Sequence, residues 1–195
     1  MASETMFCYQ CEQAASGKGC ITTGVCGKEP EVAILQDLLV YALKGLSLYA
    51  LEGRKAGIKE PNVDTFTVKA LFSTLTNVNF DSDYFLHLIH LCVEMRDHLK
   101  EKIRTAGGKV DFPEGPAHFK PEKTLQGLVA QGKKVGLKSD PTIDADILSL
   151  QHTLLFGIKG VAAYADHAQI LGQQDDKIYS FIHEALVATL RVDLK

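Results

Sequence analysis

An all-α fold is what this sequence predicts, and three observations predict it. Apolar residues recur at three- and four-residue steps along most of the chain after Pro30, the spacing of one face of an α-helix. No stretch shows the strict alternation of a half-buried strand. A segment of some 40 residues repeats at an offset of 115, helices and intervening turn together.

Residues 1–29 read as a Cys-rich loop. Gly17, Gly19, Gly24 and Gly27 are interspersed with and follow the cysteines, and neither helical nor strand period is visible. The first helix begins at Pro30, where a missing N–H costs nothing. Leu35, Leu38, Leu39, Ala42, Leu43, Leu46 and Ala50 form its apolar face, and Ala56-Gly57 ends it, with Gly57 as C-cap. A second helix fits Val63 to Leu75, capped by Asn62 or Asp64. Asn77 to Asp81 reads as a turn. The third helix runs from Ser82 to Thr105 with Phe85, Leu88, Ile89, Cys92, Met95 and Leu99 on one face, and Gly107-Gly108 stops it. Residues 107–122, rich in Gly and Pro, read as a linker. A short helix near Pro121 to Gln131 lies within the wider linker 107–140. Helical period returns from Ile143 to Leu171 and from Asp176 to Arg191.

The repeat aligns Leu35 to Ala50 with Leu150 to Ala165, sharing Leu, Gln, Lys-Gly and Tyr-Ala, and then Phe66, Ala70, Leu71, Thr74 and Leu75 with Phe181, Ala185, Leu186, Thr189 and Leu190. Two three-helix units follow from it, residues 30–106 and 141–195. The second is expected to lack its third helix, because Asp81 plus 115 falls one position beyond Lys195. Leu186, Val187, Leu190 and Val192 are then expected to want a partner face, supplied by more chain or by another chain.

Charge and composition exclude several classes. Lys plus Arg is 21 against Asp plus Glu 24, a net charge of −3, which builds no basic field for nucleic acid. No apolar run approaches the ~20 residues that span a bilayer, and the first residues carry no secretory signal pattern. The reading is a cytoplasmic, reducing compartment.

Four of the five cysteines, Cys8, Cys11, Cys20 and Cys26, crowd the N-terminus; Cys92 is alone. Staples of a disulfide scaffold spread through the fold, so clustering in a reducing compartment favours metal. Four thiolates suit a tetrahedral zinc or an iron–sulfur cluster. A single CxxC with the second pair stretched tilts toward iron–sulfur, with zinc as the alternative and free, oxidation-prone thiols as a third reading. Cys26-Gly27 precedes a helix N-terminus, whose dipole suits an anion. Lys18 and Lys28 are placed to offset more charge, and Phe7 and Tyr9 either shield the first ligand or anchor the N-terminus.

Other candidates reduce to structure. Cys92 reads as a core thiol. His87, His90, Glu94 and His98 share a helix face, more often polar surface than metal site. His152, His167 and His183 receive no role. Lys44 and Lys159 are repeat-equivalent, and their Lys-Gly pairs suggest close helix packing at Gly45 and Gly160.

The stretches Met6-Phe-Cys-Tyr-Gln-Cys-Glu-Gln13, Gly19-Cys20, Gly24-Val-Cys-Gly-Lys28, Leu35-Gln-Asp-Leu-Leu39, Lys44-Gly45, Leu75-Thr-Asn-Val-Asn-Phe-Asp81 and Lys159-Gly-Val-Ala-Ala-Tyr-Ala-Asp-His-Ala168 resemble the hybrid-cluster protein family, also called prismane proteins or hydroxylamine reductases. The resemblance runs from Met6 to about Arg191; residues 1–5 precede the usual start. It implies an N-terminal domain of two three-helix bundles. It implies that Cys8, Cys11, Cys20 and Cys26 ligate the proximal cluster, of the 4Fe-4S type because the spacing is the shorter of two classes. It implies an oxidoreductase reducing hydroxylamine to ammonia, with nitric oxide reduction and S-nitrosylation also proposed. The family's mixed iron–sulfur–oxygen cluster is held by later domains whose ligands are absent here, so no catalytic residue is assigned. The expected partners are those domains or another copy of the chain, and a donor such as a ferredoxin or an NADH-dependent reductase.

Overall fold

A computed structural model describes residues 6–13, 15–136 and 142–193. Residues 1–5 and part of the expected linker lie outside them. Among the described residues there are six α-helices and no strand, and the all-α expectation holds.

Helix α1 (Pro30–Lys55) is the hub. Pro30 opens it, and Gly57, at φ 76°, closes it by turning the chain so that the Ile58 N–H reaches the Gly53 carbonyl at 2.8 Å. Its neighbours surround it: α3 (Ser82–Thr105), α4 (Leu125–Val135), α6 (Asp176–Ala188) and a short 3-10 turn, Gly115–His118. Burial on every side is why Leu35, Leu38, Leu39, Val40, Leu43 and Leu46 are all inaccessible. The helix is in fact long and apolar enough to cross a membrane, contrary to the expectation above, but most of that stretch is buried by the other helices, as in a core helix.

Helix α2 (Pro61–Ser73) starts earlier than expected, with Pro61 in its first turn. Neither expected cap serves: Asn62 lies inside the helix, and the Asp64 carboxylate is taken by Arg54 and His183. Asn77 adopts φ 62° in the following turn. Asp81 then caps α3, accepting from the N–H groups of Asp83 at 2.9 Å and Tyr84 at 3.2 Å.

The Gly/Pro-rich stretch after α3 follows a tight path over α1. Phe112, Pro116, Ala117 and Phe119 are buried, and Arg96 donates to the carbonyls of Pro116 at 3.3 Å and Phe119 at 2.7 Å. Gly45 lets the chain come this close, since a Cβ there would sit 2.2 Å from the Pro116 carbonyl oxygen. At Gly160, its repeat equivalent, a Cβ would meet nothing, so the close packing expected there is absent. Helix α4 starts beyond Pro121, after Thr124, whose hydroxyl accepts from the Gly127 N–H at 3.1 Å.

Helices α5 (Ala145–Ile170) and α6 take Asp144 and Asp175 as caps. The two copies of the repeat pair reciprocally: α1 lies against α6, and α2 against α5. Leu186 is therefore buried, against expectation, and Val187 and Leu190 are half-covered. In this second copy Leu150, Tyr164, Ile170, Leu171, Ile178, Phe181 and Val192 are left exposed.

Candidate metal centre

The N-terminal loop is knitted together by its backbone. The Met6 N–H donates to the Ile21 carbonyl at 3.2 Å and the Cys8 N–H to the Cys20 carbonyl at 3.1 Å, which sets Cys8 beside Cys20. Cys20 is buried with Met6 and Ala33, and Cys8 packs against them. The Val25 N–H points at the Cys20 sulfur, 3.5 Å away. A turn closed by Gly27 N–H to Gly24 O and Gly24 N–H to Lys28 O, both 2.8 Å, presents Cys26. Gly27 makes that turn at φ 86°, and a Cβ on Gly24 would stand 3.1 Å from the Cys26 sulfur. Cys8, Cys11 and Cys26 are half-buried, and all four loop thiols are free. Among the described residues no three His, Cys, Asp or Glu side chains stand close enough together to hold a metal ion.

Beneath the loop lies a layer of buried charge, of which the sequence pointed only to Lys28. Lys28 is buried; its ammonium donates to Gln36 Oε1 at 2.5 Å and to the Thr74 carbonyl at 3.4 Å. Gln36 is fixed in turn by donating to the Asn79 carbonyl at 3.1 Å. Burial pushes the Lys28 pKa down, while Cys8, Cys26 and Cys11 pull it up, which places three of the four sulfurs within electrostatic reach of one ammonium. Burial also raises the Cys8 thiol, against the lowering effect of the Gln10 backbone N–H and Lys28.

Gln10, inside the CxxC, is buried as well. Its Nε2 donates to Asp37 of α1, and its Oε1 accepts from Lys159 of α5. The Lys159 ammonium also reaches the Gln10 carbonyl at 3.5 Å. Burial raises the Asp37 pKa, with Lys159 and Lys28 opposing, and lowers that of Lys159, with Asp37 opposing. Lys44, about two turns further along α1 from Asp37, is pushed down to about 8 by burial. The one signal for the rest of this layer was lysine on otherwise apolar helices. Lys44 and Lys159 belonged to the core and not to an exposed edge.

The remaining candidates fall into place. Lys18 is exposed. Phe7 stands 4.7 Å from Tyr9, ring centre to ring centre, and Tyr9 5.0 Å from His152 of α5, so the aromatics anchor the loop. His87, Glu94 and His98 are exposed, and His90 bonds its own helix at the Leu86 carbonyl, 2.8 Å away. His167 meets the Phe72 ring edge-on at 5.3 Å. Cys92 is buried in the core.

The donor chemistry fits an anionic thiolate centre. Lys28 and Lys159 are buried, with Cys8 and Cys11 within electrostatic reach of both, and Asp37 is the buried carboxylate beside them, which leaves a surplus of positive charge near the loop thiols. Sequestered ammonium groups of this kind need an anion nearby.

Residues 6–195 match the Prismane/CO dehydrogenase family. The chain is 64% identical over 190 residues to a hydroxylamine reductase of Syntrophobacter fumaroxidans, covering 97% of this chain and 35% of that protein. It is 57% identical over 184 residues to a hydroxylamine reductase of Methanocella arvoryzae, covering 94% and 34%. One from Geobacter metallireducens is 45% identical over 190 residues, covering 94% and 34%. The chain thus spans about a third of the length of the curated relatives it matches. By these matches the chain belongs to the Prismane/CO dehydrogenase family.

Proposed function

We propose that this chain is the iron–sulfur electron-transfer portion of a hydroxylamine reductase. Cys8, Cys11, Cys20 and Cys26 are its ligands, and the group they hold is a 4Fe-4S cluster. When bound, that cluster supplies one-electron transfer between a donor and a catalytic hybrid cluster in other domains, where hydroxylamine becomes ammonia. This chain's residues bind and tune: thiolates ligate, Lys28 and Lys159 balance negative charge, and Tyr9 on His152 holds the loop to α5. The setting proposed is cytoplasmic, with the remaining domains or a second copy against the exposed α5–α6 side chains, and a ferredoxin or NADH-dependent reductase as donor.

The observation that carries the reading is the buried positive surplus of Lys28 and Lys159 against Asp37, with Cys8 and Cys11 in electrostatic reach of both lysines. A neutral loop of free thiols leaves those charges without compensation. A four-thiolate cluster supplies it, with a potential set by burial, charge and hydrogen bonds to sulfur.

The test is iron and acid-labile sulfide analysis of anaerobically prepared protein with its visible spectrum. About four of each per chain, with absorbance that bleaches on reduction, is expected. Cys→Ser at any of the four positions should lower iron content, and Cys92→Ser should not. Zinc in place of iron overturns the reading and leaves a structural staple.

A further inference from the structure

The middle of the CxxC is gripped from both copies of the repeat. Asp37 of α1 and His152 of α5 are equivalent positions, 115 apart. Asp37 accepts from the Gln10 amide, and the His152 ring packs tilted against Tyr9, 5.0 Å between centroids. Lys159 of α5 then closes the arrangement by donating to both oxygens of Gln10. Gln10, Lys159 and Asp37 are all buried, at 1%, 0% and 7% exposure. Tyr9 and Gln10 are the two residues between Cys8 and Cys11. The CxxC therefore sits in a socket whose walls, Asp37 on one side and His152 and Lys159 on the other, are more than a hundred residues apart in sequence.

We propose that Lys159 is a positioning residue for the thiolate centre: through Gln10 it locks the CxxC against the second repeat and presents a buried positive charge to it, with Asp37 as its counterweight. This rests on the electron-transfer reading for the charge effect, but not for the locking. Gln10 is a suitable coupler because its amide has a donor end and an acceptor end. One end satisfies the carboxylate and the other the ammonium. Neither charged group contacts the other, so each one's field reaches the sulfurs across the same amide. An added electron makes the centre more negative, which a nearby ammonium stabilises and a nearby carboxylate opposes.

The experiment compares wild type, Lys159→Met, Asp37→Asn and the double variant, all as the full chain. One readout is the midpoint potential of the iron-loaded protein, by spectroscopically monitored redox titration. The other is amide hydrogen exchange across residues 8–11 of the metal-free protein, with α3 as the folding control. Lys159→Met should move the potential negative, and Asp37→Asn should move it positive. A merely structural role does not give opposite signs. Lys159→Met should also speed exchange at residues 8–11 by about tenfold, the equivalent of one charge-assisted hydrogen bond, with α3 unchanged. If Lys159→Met alone does not fold, the double variant, which removes both buried charges, is read instead. It should fold, with its exchange at residues 8–11 still raised. Unchanged exchange overturns the proposal, as do potential shifts of the same sign in the two single variants. A wild type without iron but with faster loop exchange in the variants overturns the electron-transfer reading and keeps the lock.

Discussion

His183 Nε2 lies 3.0 Å from Asp64 Oδ1, and its Nδ1 lies 2.9 Å from Ser47 Oγ, so one buried imidazole fastens α6 to α2 and α1. The carboxylate accepts from Nε2–H, which leaves Nδ1 to accept the serine hydroxyl. Serine, histidine and aspartate in a row suggest a nucleophile, but Ser47 is fully buried and no substrate reaches it. The arrangement fastens helices. His183→Ala leaves Asp64 with Arg54 alone and Ser47 with no partner from α6. It should cost about 2–3 kcal/mol in urea unfolding. A loss no larger than that of an exposed His87→Ala control would refute the role.

The two Lys-Gly pairs should separate cleanly. Gly45→Ala drives a methyl into the Pro116 carbonyl, a backbone atom that cannot swing aside. It should destabilise by about 3 kcal/mol. Gly160→Ala meets nothing within 4 Å and gains helix propensity. It should be neutral or stabilising by up to ~1 kcal/mol. Thermal unfolding of the two variants side by side decides the matter.

Asp176 provides a pH handle. Hydrogen bonds from Arg54 at 2.5 Å and Lys59 at 2.8 Å hold its carboxyl down to about 2, below the ordinary 3.8. A carboxylate depressed in the folded state stabilises the fold above the ordinary value, and that contribution fades as pH falls through the folded one. Asp176→Asn should therefore flatten the stability loss between roughly pH 4 and pH 2. The group is exposed, so the effect belongs to the surface range, up to ~1 kcal/mol. Chemical denaturation across that window measures it, and parallel curves for wild type and variant would count against it.

Cys92 should be inert. Burial raises its thiol pKa far above the usual range, and it lies at 0% exposure in the core. In metal-free folded protein, iodoacetamide at about pH 8 should label Cys8, Cys11 and Cys26 and spare Cys92. In denaturant all of them should label. Peptide mass spectrometry distinguishes the two patterns.

Much of this was legible along the chain. Helix α3 was bounded correctly because Asp81 and Gly107 act locally, through a capping carboxylate and a left-handed turn. Helix α2 was misplaced at its start because Asp64, a good cap in isolation, has a stronger use in three dimensions. Gly45 and Gly160 are indistinguishable in sequence and differ in what lies opposite.

The helices, the repeat and the grouping of four cysteines are written along the chain, since period, caps and spacing are properties of neighbouring residues. Packing in three dimensions set the crosswise pairing of the repeats, the path of the Gly/Pro-rich stretch along α1, and the hold of Asp37 and Lys159 on Gln10. The physical reason is burial. A lysine or an aspartate carries no mark in sequence of whether water surrounds it, and it is the loss of that water that turns Lys28, Asp37 and Lys159 from surface charges into the floor beneath the thiols.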